Sequence, residues 1–182
     1  MLQRLVAFDT TSRNSNLELI QYIQGYLGEH GVESTLVPNV EGTKANLYAS
    51  IGPKAEGGIV LSGHTDVVPV DGQAWVTDPF TLSEKPDGNL YGRGTCDMKG
   101  FIATCLSHVP AFQRAELDDS PGHCVFWFQR ESAPVEAFDP GGSRDARVAA
   151  IARLSSDPAA RCESYAPRWD PAGTQILCRR CR

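Results

Sequence analysis

Two short stretches of the chain place metal-binding or proton-transferring side chains beside glycine. The first, LSGHTDVVPV (residues 61–70), carries His64 and Asp66. In an extended strand alternate side chains share a face, so these two side chains should point the same way. A neutral imidazole is a good ligand for a divalent metal, and a carboxylate on the same side can fix the orientation of the ring. This stretch therefore indicates a metal site at the end of a strand.

The second stretch, YGRGTCDMKGF (residues 91–101), places Asp97 where a glycine-rich turn becomes a helix. A carboxylate there can bridge two divalent cations, because each oxygen can serve one metal. Both stretches also have purely structural explanations. His64 would then be a hydrogen-bonded histidine at the end of a strand, Asp66 a turn cap and Asp97 a helix N-cap. The glycine spacing fits neither a dinucleotide-binding nor a phosphate-binding loop.

The surrounding sequence predicts an α/β layer that would carry both stretches. A helix capped by Asn16 or Ser15 has one apolar face and ends at Gly31, and two alternating segments follow it. The run GGIVLSGHTD, continuously apolar and bounded by glycines, is typical of a central strand covered on both faces. The predicted elements are a helix over about 16–30, strands over 32–38, 45–52 and 57–66, a hairpin over 83–92 with Asp87-Gly88 near its tip, and a helix over 97–112. In such folds, ligands bind at the carboxyl ends of central strands.

Composition limits the possible partners. The chain has 182 residues, a formal net charge of −5 and a hydrophobic fraction of 41%, as in a soluble globular protein. Its acidic balance argues against a nucleic-acid partner. It has neither an apolar run long enough to cross a bilayer nor a basic and apolar leader. We therefore expect a cytoplasmic protein that contacts neither membrane nor nucleic acid.

Together the two stretches resemble one enzyme family. SGHTDVVPVDGQAW, the following DPF and DGNLYGRGTCDMKGF are similar to the two-zinc amidohydrolases and aminoacylases of the metallopeptidase family that holds acetylornithine deacetylase, succinyl-diaminopimelate desuccinylase and carboxypeptidase G. LVAFDTTSRNSNLELI and GTKANLYASIGP resemble the acetylornithine deacetylase type in particular. The resemblance covers residues 2 to about 115. It implies the amino-terminal part of a zinc-peptidase-like catalytic domain, with a central mixed sheet flanked by helices.

The resemblance also implies roles for the site residues. His64 matches a histidine ligand of the first metal, and Asp97 matches the aspartate that bridges two zinc or cobalt ions. Asp66 matches the carboxylate that orients the catalytic machinery without binding metal. The implied substrate is a small N-acyl amino acid. The implied reaction is hydrolysis of N2-acetylornithine to ornithine and acetate, in arginine biosynthesis.

The rest of the chain departs from the family pattern. The family has an adjacent pair of glutamates beyond the bridging aspartate, whereas CVFWFQRESAPVE contains Glu131 and Glu136 without such a pair. Glu131 is our candidate for the general base. His108 and His123 lie too near in sequence to match the distant histidine ligand. The remaining metal ligands have no match, so the implied site holds fewer than the three protein ligands usual in catalytic zinc sites.

The composition also changes near residue 120. All four lysines precede it, and nine of the thirteen arginines follow it. We therefore predict a partial metal-hydrolase catalytic domain over residues 1–115 and an irregular or disordered tail of atypical composition over 116–182. We hypothesise that a shifted reading frame produced the tail.

Three functions remain open. The chain is part of a two-metal deacylase, truncated and inactive alone; it is a non-catalytic remnant or regulatory partner; or it is an α/β binding module without metal chemistry. Its oligomeric state is left open.

Overall fold

A computed structural model of the protein describes residues 1–52, 59–115, 124–129, 168–169 and 175–176. The described helices are α1 (Leu2–Ala7), α2 (Leu17–Glu29), α3 (Lys99–Ser107) and α4 (Val109–Arg114). The described strands are β1 (Ser34–Pro38), β2 (Ala45–Ile51), β3 (Ile59–His64), β4 (Ser83–Glu84), β5 (Leu90–Tyr91), β6 (Cys124–Gln129), β7 (Arg168–Trp169) and β8 (Gln175–Ile176).

The larger sheet has four described strands in the order β1-β2-β6-β3. β2 pairs antiparallel with both β1 and β6, whereas β3 runs parallel to β6. α2 packs on β2, and α3 packs on β3. This arrangement confirms the predicted mixed sheet flanked by helices.

The position of β3 differs from the prediction of a central strand. Among the strands that the structure describes, β3 lies at one end of the larger sheet, and β2 and β6 are the inner strands. Ile59 and Val60, the first two residues of β3, are 66% and 36% exposed. An apolar run indicates that a strand tends to be buried, but it does not indicate which other strands pair with it. That information comes from segments distant in sequence.

β6 lies beyond residue 115, yet it contributes to the core. Its Phe126 and Phe128 side chains are fully buried, with their ring centroids 5.8 Å apart. The larger sheet therefore includes residues past the predicted domain boundary. Most of residues 116–182 lie outside the described part of the chain, so the boundary, the irregular tail and the shifted reading frame stay predictions.

The helix predicted after Asn16 is confirmed as α2, although its capping differs in detail. The Asn16 side chain donates to the Ala45 carbonyl (2.8 Å) and accepts from the Ala45 N–H (3.0 Å), so it joins the start of α2 to β2. The Ser15 hydroxyl oxygen instead accepts the Leu17 N–H at 3.2 Å. Gly31, with a φ of +70°, follows the helix as predicted.

The single helix predicted over 97–112 is two helices in the structure, α3 and α4, which meet at His108. Pro110 lies in the first turn of α4. In a continuous helix its ring would clash with the carbonyl of Leu106, and it has no N–H to donate. The proline therefore ends one helix and starts the next. Of the helices that the structure describes, none is long and apolar enough to cross a membrane.

The core lies between the helices and the larger sheet. Its fully buried apolar side chains are Leu5, Leu19, Ile20, Ile23, Leu27, Leu47, Ile102, Leu106, Val109, Phe126 and Phe128. The predicted hairpin is also confirmed: β4 pairs antiparallel with β5, and Gly88 adopts a φ of +75° in the turn. The hairpin belongs to a second small sheet of order β4-β5-β8-β7.

Candidate metal centre

His64 is the last residue of β3 and is half-buried. Its Nδ1 lies 2.9 Å from the backbone carbonyl oxygen of Asp66, to which Nδ1–H donates. Nδ1 also lies 3.5 Å from Oδ1 of the Asp66 side chain. These contacts on one side of the ring direct the other ring nitrogen, Nε2, away from β3.

Asp97 reaches the ring from the loop that precedes α3. Its Oδ1 lies 2.8 Å from Nε2 of His64. The N-cap of α3 is Met98, so Asp97 does not take the structural role of a helix cap, and the peptide bond between the two residues is cis. The structure therefore brings together His64 and Asp97, which are 33 positions apart in the chain.

Two glycines make this approach possible. At Gly94 a Cβ atom would lie 2.7 Å from Cγ1 of Val67, and φ is +79°. The loop that carries Asp97 can therefore pass directly over the segment that follows β3. At Gly63 a Cβ atom would lie 3.2 Å from Phe101 and 3.3 Å from Ile102 of α3. Glycine at both positions lets the loop and α3 lie close to the end of β3.

The contact between His64 and Asp97 shifts the pKa values of both side chains. Burial lowers the pKa of His64, but hydrogen bonds with Asp66 and with Asp97 outweigh it and raise the pKa to about 10. The hydrogen bond from His64 lowers the pKa of Asp97, against the raising effect of burial. A cation that binds both side chains must therefore displace the proton on Nε2, so its binding releases a proton.

The two donor atoms fit part of a zinc site. An imidazole nitrogen and a carboxylate oxygen bind zinc at about 2.0–2.2 Å. Donor atoms separated by the observed 2.8 Å can both reach one such ion. Within the described segments, no group of three or more histidine, cysteine, aspartate or glutamate side chains is placed to hold a metal. Among the described residues, His64 and Asp97 are therefore a pair of possible donors and not a complete set.

The structure describes only some of the other residues named from the sequence. Glu131, the candidate general base, lies outside the described residues, as do Glu136 and His123. His108 lies at the junction of α3 and α4, where it is exposed and its Nδ1–H donates to the Thr104 carbonyl at 2.8 Å. It takes no part in the site, as expected from the sequence.

Asp66 is buried beside the pair. Its Oδ2 accepts a hydrogen bond from the Ser12 hydroxyl at 2.8 Å. Sequence reasoning did not single out Ser12, because 54 positions separate it from Asp66. The resemblance of LVAFDTTSRNSNLELI to the family was the one available signal.

A role for Lys99 was also not predicted from the sequence. It is fully buried, and its Nζ donates to the Phe8 carbonyl at 2.6 Å. Burial lowers the pKa of Lys99 to about 7, while the negative charge of Asp9 acts in the opposite direction. Lysine is rarely buried, so no local pattern indicated this contact. It connects the start of α3 with the segment that follows α1.

A third group supports the loop between β3 and β4. Arg93 is buried, donates from Nη2 to Oε1 of Gln73, and lies 5.0 Å from the centre of the Trp75 ring. The Trp75 indole N–H donates to the same Gln73 oxygen at 3.0 Å. Burial lowers the pKa of Arg93. These side chains hold the loop that leads from the His64 strand toward the Asp97 loop.

Comparison with known families identifies the class of protein. The model of the family described as Peptidase family M20/M25/M40 matches residues 60–157, more than half of the chain. The chain belongs to this family, which confirms the resemblance seen in its motifs.

Individual relatives agree with this assignment. Acetylornithine deacetylase of Pectobacterium carotovorum is 47% identical over 102 residues, which cover 55% of this chain and 26% of the relative. Acetylornithine deacetylase of Edwardsiella ictaluri is 46% identical over 193 aligned residues, covering 87% of this chain and 50% of the relative. The chain thus spans between about a quarter and a half of the length of these relatives.

A solved structure supports the fold. The M20 family metallo-carboxypeptidase Sso-CP2 from Sulfolobus solfataricus matches with a TM-score of 0.59 at 22% identity, over 71% of this chain and 30% of that one. The predicted zinc-peptidase-like fold class is therefore confirmed.

Proposed function

We propose that the chain carries part of the metal site of an amide hydrolase that removes the acetyl group from N2-acetylornithine. The observation that carries this proposal is the 2.8 Å approach of His64 Nε2 to Asp97 Oδ1 at the end of β3. Two relatives named acetylornithine deacetylase support the choice of substrate. The reaction adds water across the amide bond and yields acetate and ornithine, as in arginine biosynthesis in the cytoplasm.

Each side chain has a proposed role. A divalent ion, zinc or cobalt, would act as a Lewis acid toward the amide carbonyl. His64 would offer the lone pair of Nε2 once its proton has left, and Asp97 would offer one oxygen to each of two ions. Asp66 would hold the imidazole from the Nδ1 side. Glu131 is the proposed general base, which would take a proton from water and pass it to the leaving amine.

We also propose that this chain does not turn over substrate alone. Among its described residues, His64 and Asp97 are the pair that we propose as metal ligands, whereas catalytic zinc sites usually have three. The same observation favours a second candidate, a non-catalytic remnant that retains half of the site and binds metal weakly. Both candidates predict an effect of His64 on metal binding, which an α/β binding module without metal chemistry does not.

A zinc titration of the 182-residue chain tests the proposal. We expect His64→Ala to weaken zinc binding by at least the 10–100-fold typical of residues that support a metal ligand. His108→Ala is the matched control, because this exposed histidine lies away from the site and should leave the affinity unchanged. A chain without measurable zinc affinity, or equal affinities in both variants, would favour the binding module.

A deacetylation assay on N-acetylornithine separates the two metal-binding candidates from an active enzyme. We expect no ornithine to be released by the chain with zinc. Turnover that requires zinc and is lost in His64→Ala would contradict the proposed inactivity while supporting the proposed site.

A further inference from the structure

The loop that joins α1 to α2, residues 8–16, runs alongside the residues that follow β3. Thr11 forms a parallel bridge with Val67. The Ser12 N–H donates to the Val67 carbonyl, and the Val67 N–H donates to the Thr10 carbonyl, both at 3.0 Å. The Thr10 hydroxyl adds a bond to the Thr65 carbonyl at 2.7 Å. Backbone hydrogen bonds therefore fix the register of this α1–α2 loop beside Asp66.

This register places one hydroxyl against the Asp66 carboxylate. Ser12 Oγ lies 2.8 Å from Oδ2 of Asp66 and 3.2 Å from the Val67 carbonyl oxygen. A hydroxyl has one proton to donate, and the shorter contact is to the carboxylate. Asp66 is only 5% exposed, and a buried carboxylate needs donors. With Oδ2 held by Ser12, Oδ1 is left on the side of the His64 ring, 3.5 Å from Nδ1.

We propose that Ser12 is a positioning residue of the metal centre. Its hydroxyl fixes the rotation of the Asp66 carboxylate, which in turn helps to hold the His64 ring with Nε2 toward Asp97. The geometric part of this inference stands on the contacts alone, and its consequence for metal binding rests on the proposed function.

The other attachments of the loop allow Ser12 to be tested without loss of the loop. The bridge between Thr11 and Val67 uses backbone atoms, and Arg13 forms a 2.7 Å ion pair with Asp71 at the surface. Both remain when the Ser12 side chain is shortened to alanine. Ser12→Ala should therefore keep the register of the loop and remove the hydrogen bond from the hydroxyl to the Asp66 carboxylate.

The first measurement needs no metal. The chain is labelled with 15N in its four histidines, and ring signals are recorded at one fixed pH. The His64 signals are assigned by their loss in His64→Gln. We expect Ser12→Ala to shift them and to speed exchange of the Nδ1 proton with water, because the Asp66 carboxylate, whose Oδ1 lies 3.5 Å from Nδ1, is then held less firmly. Ser12→Thr, which keeps the hydroxyl, should restore both.

The second measurement is the apparent zinc affinity, with zinc chloride as the probe. We expect about a tenfold loss in Ser12→Ala, the lower end of the range for residues that support a metal ligand, and recovery in Ser12→Thr. Ser15→Ala is the matched control. The Ser15 hydroxyl belongs to the same loop but donates to the Thr43 carbonyl at 2.6 Å, away from Asp66, so neither measurement should change.

The outcomes separate this inference from the proposed function. His64 signals that move in Ser12→Ala, with no zinc bound by any variant, would support Ser12 as a positioning residue and contradict the metal site. Ser12→Ala and Ser15→Ala with equal signals and equal zinc affinity would overturn the inference. If Ser12→Ala does not fold, Ser12→Cys keeps the size of the side chain with a weak donor, and unchanged His64 signals in that variant would also overturn it.

Discussion

The two ends of β3 are built differently. At the carboxyl end Gly63 is buried against α3, and His64 is hydrogen-bonded on both sides of its ring. At the amino end Ile59 and Val60 are exposed apolar side chains. We call the first the fixed end, which carries the candidate site, and the second the open end, whose two side chains are exposed within the part of the chain that the structure describes. Burial along this strand follows the contacts of each end and not the apolar composition, which is highest at the open end.

The largest loss of stability near the fixed end is expected when Gly94 is given a side chain. We expect Gly94→Ala to lower the free energy of unfolding by about 2–4 kcal/mol, because the Cβ would overlap Val67 and alanine is strained at positive φ. Urea unfolding measures this loss. Gly72→Ala is the matched control, since Gly72 has a φ of +71° and nothing within 4 Å. Equal losses in both variants would show that the close approach of Gly94 to Val67 does not contribute to the cost of the substitution.

A smaller effect is expected at Gly63. Its added Cβ would meet flexible side chains of Phe101, Ile102 and Met98 at 3.2–3.4 Å, so we expect Gly63→Ala to lower the free energy of unfolding by about 1–2 kcal/mol. Gly25→Ala in α2 has open space and should instead stabilise the chain by about 0.5–1 kcal/mol. Thermal unfolding of the two variants checks the opposite signs, and a stabilised Gly63→Ala variant would mean that α3 does not pack closely on β3.

The smallest effect is expected at the open end. Val60→Lys should change the free energy of unfolding by less than about 0.5 kcal/mol, as is usual at exposed positions. Because a charge on an exposed edge strand opposes pairing with another edge, it should also reduce self-association. Urea unfolding and light scattering measure the two effects. A loss above about 1 kcal/mol would show that the Val60 side chain contributes to stability as a buried residue does.

Local sequence patterns predicted the elements that depend on neighbouring residues. β2 follows from alternation within Ala45–Ile51, and the hairpin turn follows from Asp87-Gly88. Pro110 was also visible in the sequence, and it accounts for the break that the single-helix prediction missed. The place of β3 at one end of the described strands was not predictable in this way, because it depends on where β6 enters the sheet.

The candidate site was also only partly predictable from the sequence. Family resemblance, and not spacing, suggested that His64 and Asp97 would meet, and the structure places them together; their roles as metal ligands stay predictions. The contacts of Ser12 with Asp66 and of Lys99 with Phe8 span 54 and 91 positions. Such contacts depend on packing between distant segments, for which one sequence carries no periodic signal.

The parallel bridge between Thr11 and Val67 also has a consequence during synthesis of the chain. The amino-terminal segment leaves the ribosome first, and the Ser12–Asp66 contact must wait for 54 further residues. At about 5–20 residues per second this interval lasts roughly 3–11 s. For those seconds the donors and acceptors of the early segment are open to chaperones or to another nascent copy, so the segment that contacts Asp66 is exposed before its partner has been made.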